Sequence, residues 1–364
     1  MYNYKQITIF IQKGLDVMIR AGVLGSTGYA GEETVRLLTV HPEVEITRLV
    51  SKTFAGKKIS DVYPSLRNVC DIECSELNVD DIAENCDVVF TALPHGASKQ
   101  VIPALYEKGI KIIDLSGDFR YNSKEVYEKW YGEPHSAPEL LEKSVYGLCE
   151  IHRDEIKTAD LIGNPGCYTT CSIMALYPLL KSGAVLHDNI IIDAKSGVSG
   201  AGRNEKLPYS FCECTENMKA YKIATHRHTS EIEQELSLAA NDEILVSFTP
   251  HLVPLKRGIL ATCYANLSDK SISDDDIYGL FLKYYGGEHF VRVLAPGQLP
   301  ETKHVAGSNF VEIGFKVDSR LSRVVVSCAI DNLFKGAAGQ AIQNMNLMFG
   351  LDETTGINMP AYYL

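Results

Sequence analysis

The chain has 364 residues, 45% hydrophobic and 22% charged, with a formal net charge of −11. That is globular composition, long enough for two domains with cores of their own. The acidic balance without a Lys/Arg run argues against nucleic acid as a partner, and no apolar run is long enough to span a membrane.

The ten cysteines are scattered and form no paired C-x-x-C units. Neither Cys167/Cys171 nor Cys212/Cys214 has a His/Cys pair at zinc spacing, so free thiols, no metal and a reducing, cytoplasmic setting are expected. Residues 1–17 hold a short apolar patch, residues 7–11, but no cleavage site of a signal peptide. They are expected to be an appended segment ahead of Met18.

Residues 19–24 read as a short apolar strand, followed at once by Gly25-Ser26-Thr27-Gly28-Tyr29-Ala30-Gly31 and a helix over 32–40. Strand, glycine loop and helix in that order make a phosphate-binding turn: glycines let the backbone approach a pyrophosphate, which the helix N-terminus stabilises. The spacing is G-x-x-G-x-x-G, and the competing reading is a glycine turn without ligand. A second strand, 44–51, ends in Ser51-Lys52 with Lys57 and Lys58 behind it. It lacks the acidic residue that binds the ribose diol of NAD; a hydroxyl and cations suit a 2′-phosphate, so NADP(H) is the expected cofactor.

Strand–helix alternation continues with a strand over 88–93, the loop Pro94-His95-Gly96, a helix over 99–108 and a strand over 110–115. The loop after it carries Ser116 and Arg120. Such loops lie at the carboxyl edge of a parallel sheet, where ligands bind. Arg120 there is either an anion ligand or the partner of Asp114 or Asp118.

Gly163-Asn164-Pro165-Gly166-Cys167 is a turn leading into a run of helical length. Cys167 should open that helix, whose N-terminus favours thiolate over thiol; the competing reading is a buried structural cysteine. Strand-like runs then fall at 189–195, 243–249, 258–266, 309–317 and 323–329, several without an intervening helix, which points to a mostly antiparallel sheet. His226-Arg227-His228 precedes a helix that Thr229 or Ser230 is placed to cap. That loop can bring a histidine to Cys167 as acid or base. A last helix is expected over 336–349.

These segments together resemble the N-acetyl-gamma-glutamyl-phosphate reductase family, relatives of the aspartate-semialdehyde dehydrogenases. The carriers are the 25–31 loop, Asp114 to Arg120, Gly163 to Thr170, Lys195 to Gly202, His226 to Gln234 and Asp331 to Ala341. The resemblance implies an α/β fold. It comprises a Rossmann-type parallel-sheet NADP-binding domain, residues 18–166 and 334–364, and an α+β catalytic and dimerisation domain, residues 167–333. It implies NADPH-dependent reduction of an acyl phosphate through a cysteine thioester, in arginine biosynthesis, by a homodimer or homotetramer. Cys167 is then the nucleophile, and His226 and His228 contain the acid–base residue, with His226 preferred. Gly25, Ser26, Thr27, Gly28, Tyr29, Gly31, Ser51, Lys52, Pro94, His95, Ser116 and Asn332 fall to the cofactor. Arg120, Asn164, Lys195, Ser196, Glu231 and Arg257 fall to the substrate. Thr169, Cys171, Ser230 and Gly117 depart from the family's usual residues, and Cys171, one helical turn beyond Cys167, is the departure that bears on oxidation. An aspartate-semialdehyde dehydrogenase, a Cys/His hydrolase and a non-catalytic NADP-binding sensor are the alternatives.

Overall fold

Residues 18–203 and 205–363 are described by the computed structural model; the segment read at 1–17 lies outside them. The first sheet contains β1 (Ile19–Leu24), β2 (Val44–Val50), β3 (Cys74–Ser75), β4 (Val88–Thr91), β5 (Lys111–Asp114), β6 (Val145–Tyr146) and β7 (Leu161–Gly163). Its order is β3-β2-β1-β4-β5-β7-β6, with every pair parallel. The order reverses between β1 and β4. The loops after β1, β4, β5 and β7 therefore meet at one carboxyl edge, which is where a doubly wound sheet opens its crevice. β4 is buried at every position, as a strand covered on both faces must be.

The second sheet contains β8 (Ile190–Gly197), β9 (Lys219–Ala220), β10 (Val246–Val253), β11 (Ile259–Asn266), β12 (Val291–Val293), β13 (Val311–Asp318) and β14 (Arg323–Ile330), in the order β12-β13-β14-β11-β8-β10-β9. The sheet is mixed. β8–β10 and β12–β13 are parallel, and the remaining four pairs are antiparallel. The helix His228–Ala240 crosses over between β8 and β10, which is what lets those two strands run the same way.

The Cys167–Lys181 helix is apolar nearly all round and is buried accordingly. Ile173, Met174, Leu176 and Leu179 pack into one core with Ile190, Ile192, Ile259 and Val326 of the second sheet. After β14 the chain makes a π-helical turn, Phe334–Ala338, and then the helix Gly339–Met348. That helix packs in a different core, with Val35, Phe90 and Ile113 of the first sheet's layers. Its polar residues are spent internally: Asn344 Nδ2 donates to Asn164 Oδ1 at 3.0 Å and to the Gly147 carbonyl at 2.9 Å.

Lys335, in the π-helical turn, is fully buried. Its Nζ donates to Glu150 Oε1 at 2.6 Å and to Gln343 Oε1 at 2.7 Å, and the Lys335 and Glu150 side chains are both wholly inaccessible. Removing one charge from such a pair strands the other without water. Lys335→Met should therefore lower unfolding stability by about 3–5 kcal/mol in urea titrations, and adding Glu150→Leu should recover much of that loss. A single variant as stable as the parent would show that the pair is not the seam's restraint.

Candidate active site

Cys167 is the first residue of its helix, and Gly166 is an N-cap in extended conformation without a side-chain cap. The turn is held from below by Glu231. One of its oxygens accepts from the Gly166 amide at 2.8 Å, Tyr146 Oη at 2.7 Å and Thr169 Oγ1 at 2.7 Å. The other accepts from Arg120 Nη1 at 3.2 Å. Glu231 is completely buried. The expected substrate contact at Glu231 is thus replaced by a positioning role, because its acceptors are spent on protein donors.

Cys167, Arg120, His95 and His228 line one cavity of about 190 Å³, together with Asn164 and Asn332. Gly336 closes it: a Cβ there would stand 2.6 Å from Cys167 Cβ, so only glycine fits against the thiol. His228 lies on the other side, where a Cβ on Gly166 would come 2.4 Å from its Nε2. His226 is absent from the lining. Its Nδ1 accepts the His228 amide at 3.1 Å, and its ring packs against those of Tyr168, Tyr221 and Phe248. His228 thus shares the cavity lining with Cys167, whereas His226, the expected acid–base residue, lies outside that lining and accepts the His228 amide. The helix begins at His228 itself, with Arg227 as N-cap, so neither Thr229 nor Ser230 caps it; the Ser230 hydroxyl donates to the Arg227 carbonyl instead.

The electrostatics are those of a dry, cationic pocket. Burial, opposed by the Tyr168 amide and Arg120, pushes the Cys167 thiol up to about 12. Burial thus opposes the thiolate that the helix N-terminus was expected to favour. Burial, then Arg227 and Arg120, hold His95 down to about 3. Burial, then Lys222 and Arg227, hold His226 down to about 4. His228 lies well below its ordinary value, from burial and then from His226 and Arg120. Burial is the largest influence on Arg120 and works against its charge, but Glu231, Tyr131, Tyr146 and Asp114 together outweigh it and keep the guanidinium protonated. Among the described residues, Arg120 Nε and His228 Nδ1 are buried without a hydrogen-bond partner, and both residues line the cavity.

Other expected ligands are committed elsewhere. Lys195 shares with Ile191 and Asp193 the face of β8 away from the Cys167 helix and pairs with Asp193 at 2.9 Å. Ser196 is buried and donates to the Gly197 carbonyl. Arg257 binds Glu33 at 3.0 Å and Asp331 at 3.0 Å, so its charge is already neutralised. Asn164 lines the cavity with its amide spent on Asn344 and the Ala337 carbonyl, and Asn332 likewise on Gly258 and Ser199. Cys171 is fully buried and its thiol donates to the Cys328 carbonyl.

The glycine loop fits a dinucleotide. Gly25 has φ +80°, and a Cβ there would meet the Ala92 carbonyl at 2.4 Å. Gly28 is the N-cap of Tyr29–Leu38 with no side-chain cap, which leaves the first-turn amides for a pyrophosphate. Ser26 donates to the Val50 carbonyl, and Ser116 to Asp114, shaping the loops. Thr27 and Ser51 share a hydrogen bond of 2.7 Å at the end of β2, beside exposed Lys52. Pro94 anchors the β4 loop by accepting the Ala97 amide. A groove of about 920 Å³ continues from Tyr29, Ser199, Gly202 and Leu333 to Arg203, Lys206 and Lys256. The sequence did not single out Tyr146, Ser199 and Arg203; for the last two, the Ser196–Arg203 glycine loop was the available signal.

Residues 20–159 match the family model described as the semialdehyde dehydrogenase NAD binding domain, and residues 167–332 that of the semialdehyde dehydrogenase dimerisation domain. The chain is 62% identical over 348 residues to the N-acetyl-gamma-glutamyl-phosphate reductase of Acetivibrio thermocellus, covering 95% of this chain and 100% of that one. Identity to the reductase of the same description from Alkaliphilus metalliredigens is 54%, with 95% and 100% covered. In fold it is similar to aspartate semialdehyde dehydrogenase II of Vibrio cholerae (TM-score 0.70, 19% identity, 92% and 99% covered). It is also similar to the Candida albicans aspartate semialdehyde dehydrogenase solved with NADP (TM-score 0.67, 21% identity, 91% and 98% covered).

Because burial disfavours the charged sulfur, the thiol form of Cys167 should dominate below its raised value of about 12. The rate of iodoacetamide capture at Cys167 in the free protein should accordingly keep climbing with pH through pH ~10, since the thiolate is the reacting form. A plateau reached near neutrality would contradict this. Gly336→Ala should slow capture at every pH by displacing the thiol.

Proposed function

Because the chain belongs to the N-acetyl-gamma-glutamyl-phosphate reductases of the semialdehyde dehydrogenase family, we propose that Cys167 is its nucleophile, His228 its acid–base group and Arg120 its anion ligand. The enzyme reduces N-acetyl-γ-glutamyl phosphate to N-acetylglutamate 5-semialdehyde and phosphate with NADPH, a step of arginine biosynthesis. The observation that carries the assignment of roles is the single cavity shared by Cys167, His228 and Arg120 at the mouth of the nucleotide loop.

Neutral His228 accepts the Cys167 proton as the sulfur attacks the acyl carbon. A C–S bond forms, the C–O bond to phosphate breaks, and the proton passes from His228 to the departing phosphate. The unpartnered Arg120 Nε supplies a charge-assisted hydrogen bond to the anion. An incoming anion also offsets the cations that depress His228, making it a better base in the loaded site than in the empty one. The 25–31 loop and the Ser51 end of β2 would hold NADPH, which would supply the hydride that reduces the thioester carbon. The C–S bond then breaks to release the aldehyde, and Cys167 leaves as a thiolate that regains a proton through His228. A thioester accepts hydride far more readily than a carboxylate, which is why the covalent route divides one hard step into easier ones.

The domain division at 166/167 and 333/334 is supported by the separate cores and by the packing of Gly339–Met348 with the first sheet. A homodimer, or a homotetramer built from it, is supported by the outer face of the second sheet, where Ile191 is 37% exposed and Leu260, Tyr264 and Val325 are only partly buried. No helix among the described residues is long and apolar enough to cross a membrane. All ten cysteines are free, which supports a reducing cytoplasm.

The purified protein should oxidise N-acetylglutamate 5-semialdehyde only when NADP⁺ and phosphate are both present. Cys167→Ser should abolish turnover, and His228→Ala should lower it about 10²–10⁴-fold, with His226→Ala costing less. An active serine variant would refute the thioester route. A larger loss at His226 than at His228 would reverse the two histidine roles, and equal kcat/KM on aspartate semialdehyde would move the chain to the neighbouring activity.

A further inference from the structure

The segment after β8 crosses from the second sheet to the nucleotide loop and ends there in Arg203. Arg203 Nη1 donates to the Thr27 carbonyl at 3.1 Å. Its guanidinium lies 4.7 Å over the Tyr63 ring and 5.6 Å from the Phe54 ring centre. Tyr63 Oη donates to the same Thr27 carbonyl at 2.9 Å. The side chain is thus held by two aromatic faces and one hydrogen bond, while Arg203 as a whole stays exposed on the wall of the 920 Å³ groove. A guanidinium has five N–H donors in a fixed plane, so most of them are left for a ligand.

Its neighbourhood defines that ligand. Thr27 is tied by its hydroxyl to Ser51 at 2.7 Å, at the carboxyl end of β2, where a doubly wound domain places the adenosine ribose. The position that would bear an acidic residue for a free ribose diol is Ser51 here. We propose that Arg203 is the residue that reads the 2′-phosphate of NADP(H), so that cofactor choice is made by a side chain sent over from the catalytic domain. This rests on the cofactor reading above. Lys52, the cation that follows Ser51 in sequence, then contributes only long-range attraction.

The test is nucleotide binding measured by calorimetry on the full-length protein, without turnover. Arg203→Met should weaken binding of NADP⁺ and of 2′,5′-ADP by about 10–100-fold, the loss of one charge-assisted contact. NAD⁺ and 5′-AMP should change less than about twofold, because what Arg203 recognises is absent from them. Arg203→Lys should restore part of the NADP⁺ affinity, and Lys52→Ala should alter the NADP⁺/NAD⁺ ratio less than Arg203→Met does. Equal weakening of NADP⁺ and NAD⁺ in both Arg203 variants would make the residue a structural or pyrophosphate contact and overturn the proposal, as would unchanged NADP⁺ affinity. Wild-type protein that bound neither nucleotide would instead overturn the cofactor reading on which it rests.

Discussion

One buried carboxylate ties together the parts of this active site that come from distant stretches of chain. Glu231 receives the Gly166 amide and the Thr169 hydroxyl from the turn that carries Cys167, Tyr146 from β6, and Arg120 from the loop after β5. A carboxylate withdrawn from water is tolerable only when such donors replace its hydration. The dependence runs both ways. Glu231 requires all these elements in register, and each of them is fixed by reaching it. Thr169 is part of this arrangement, because its hydroxyl donates to Glu231 at 2.7 Å.

The same logic recurs along the seam between the two sheets. Arg257, next to β11, meets Glu33 on the nucleotide helix and Asp331 just after β14. Asp331 also accepts the amides of Gly307, Leu333 and Phe334. It therefore holds the segment that brings Gly336 against Cys167. A few hydrogen bonds away, Lys335, Glu150 and Gln343 bury a second polar cluster. Because these contacts are ionic and enclosed, they specify one relative placement of nucleotide loop and nucleophile. A greasy interface of equal area would tolerate sliding.

Local chemistry made much of this legible in advance. Residues 19–24 were readable as a strand, the glycines as a turn, and Cys167 as a helix start, because each depends on near neighbours in sequence. What escaped was long-range. Lys195 and Ser196 both follow an apolar run, and only the pleat of β8 decides that Lys195 points away from the thiol while Ser196 points inward. His226 and His228 differ by two residues, and the choice between them rests on a helix that starts at His228 rather than later. Glu231 and Arg257 carry charges that look available in sequence. Each is spent on partners 62 to 224 residues away, which no local pattern can disclose.

The pocket that results is strained toward charge it does not yet contain. Cys167 is held as a thiol by burial, His228 as a free base by burial and by nearby cations, and Arg120 keeps a donor with no acceptor. None of these states is comfortable alone: a phosphate dianion would be drawn to Arg120 and would favour a protonated His228, while its own charge would oppose a thiolate at Cys167.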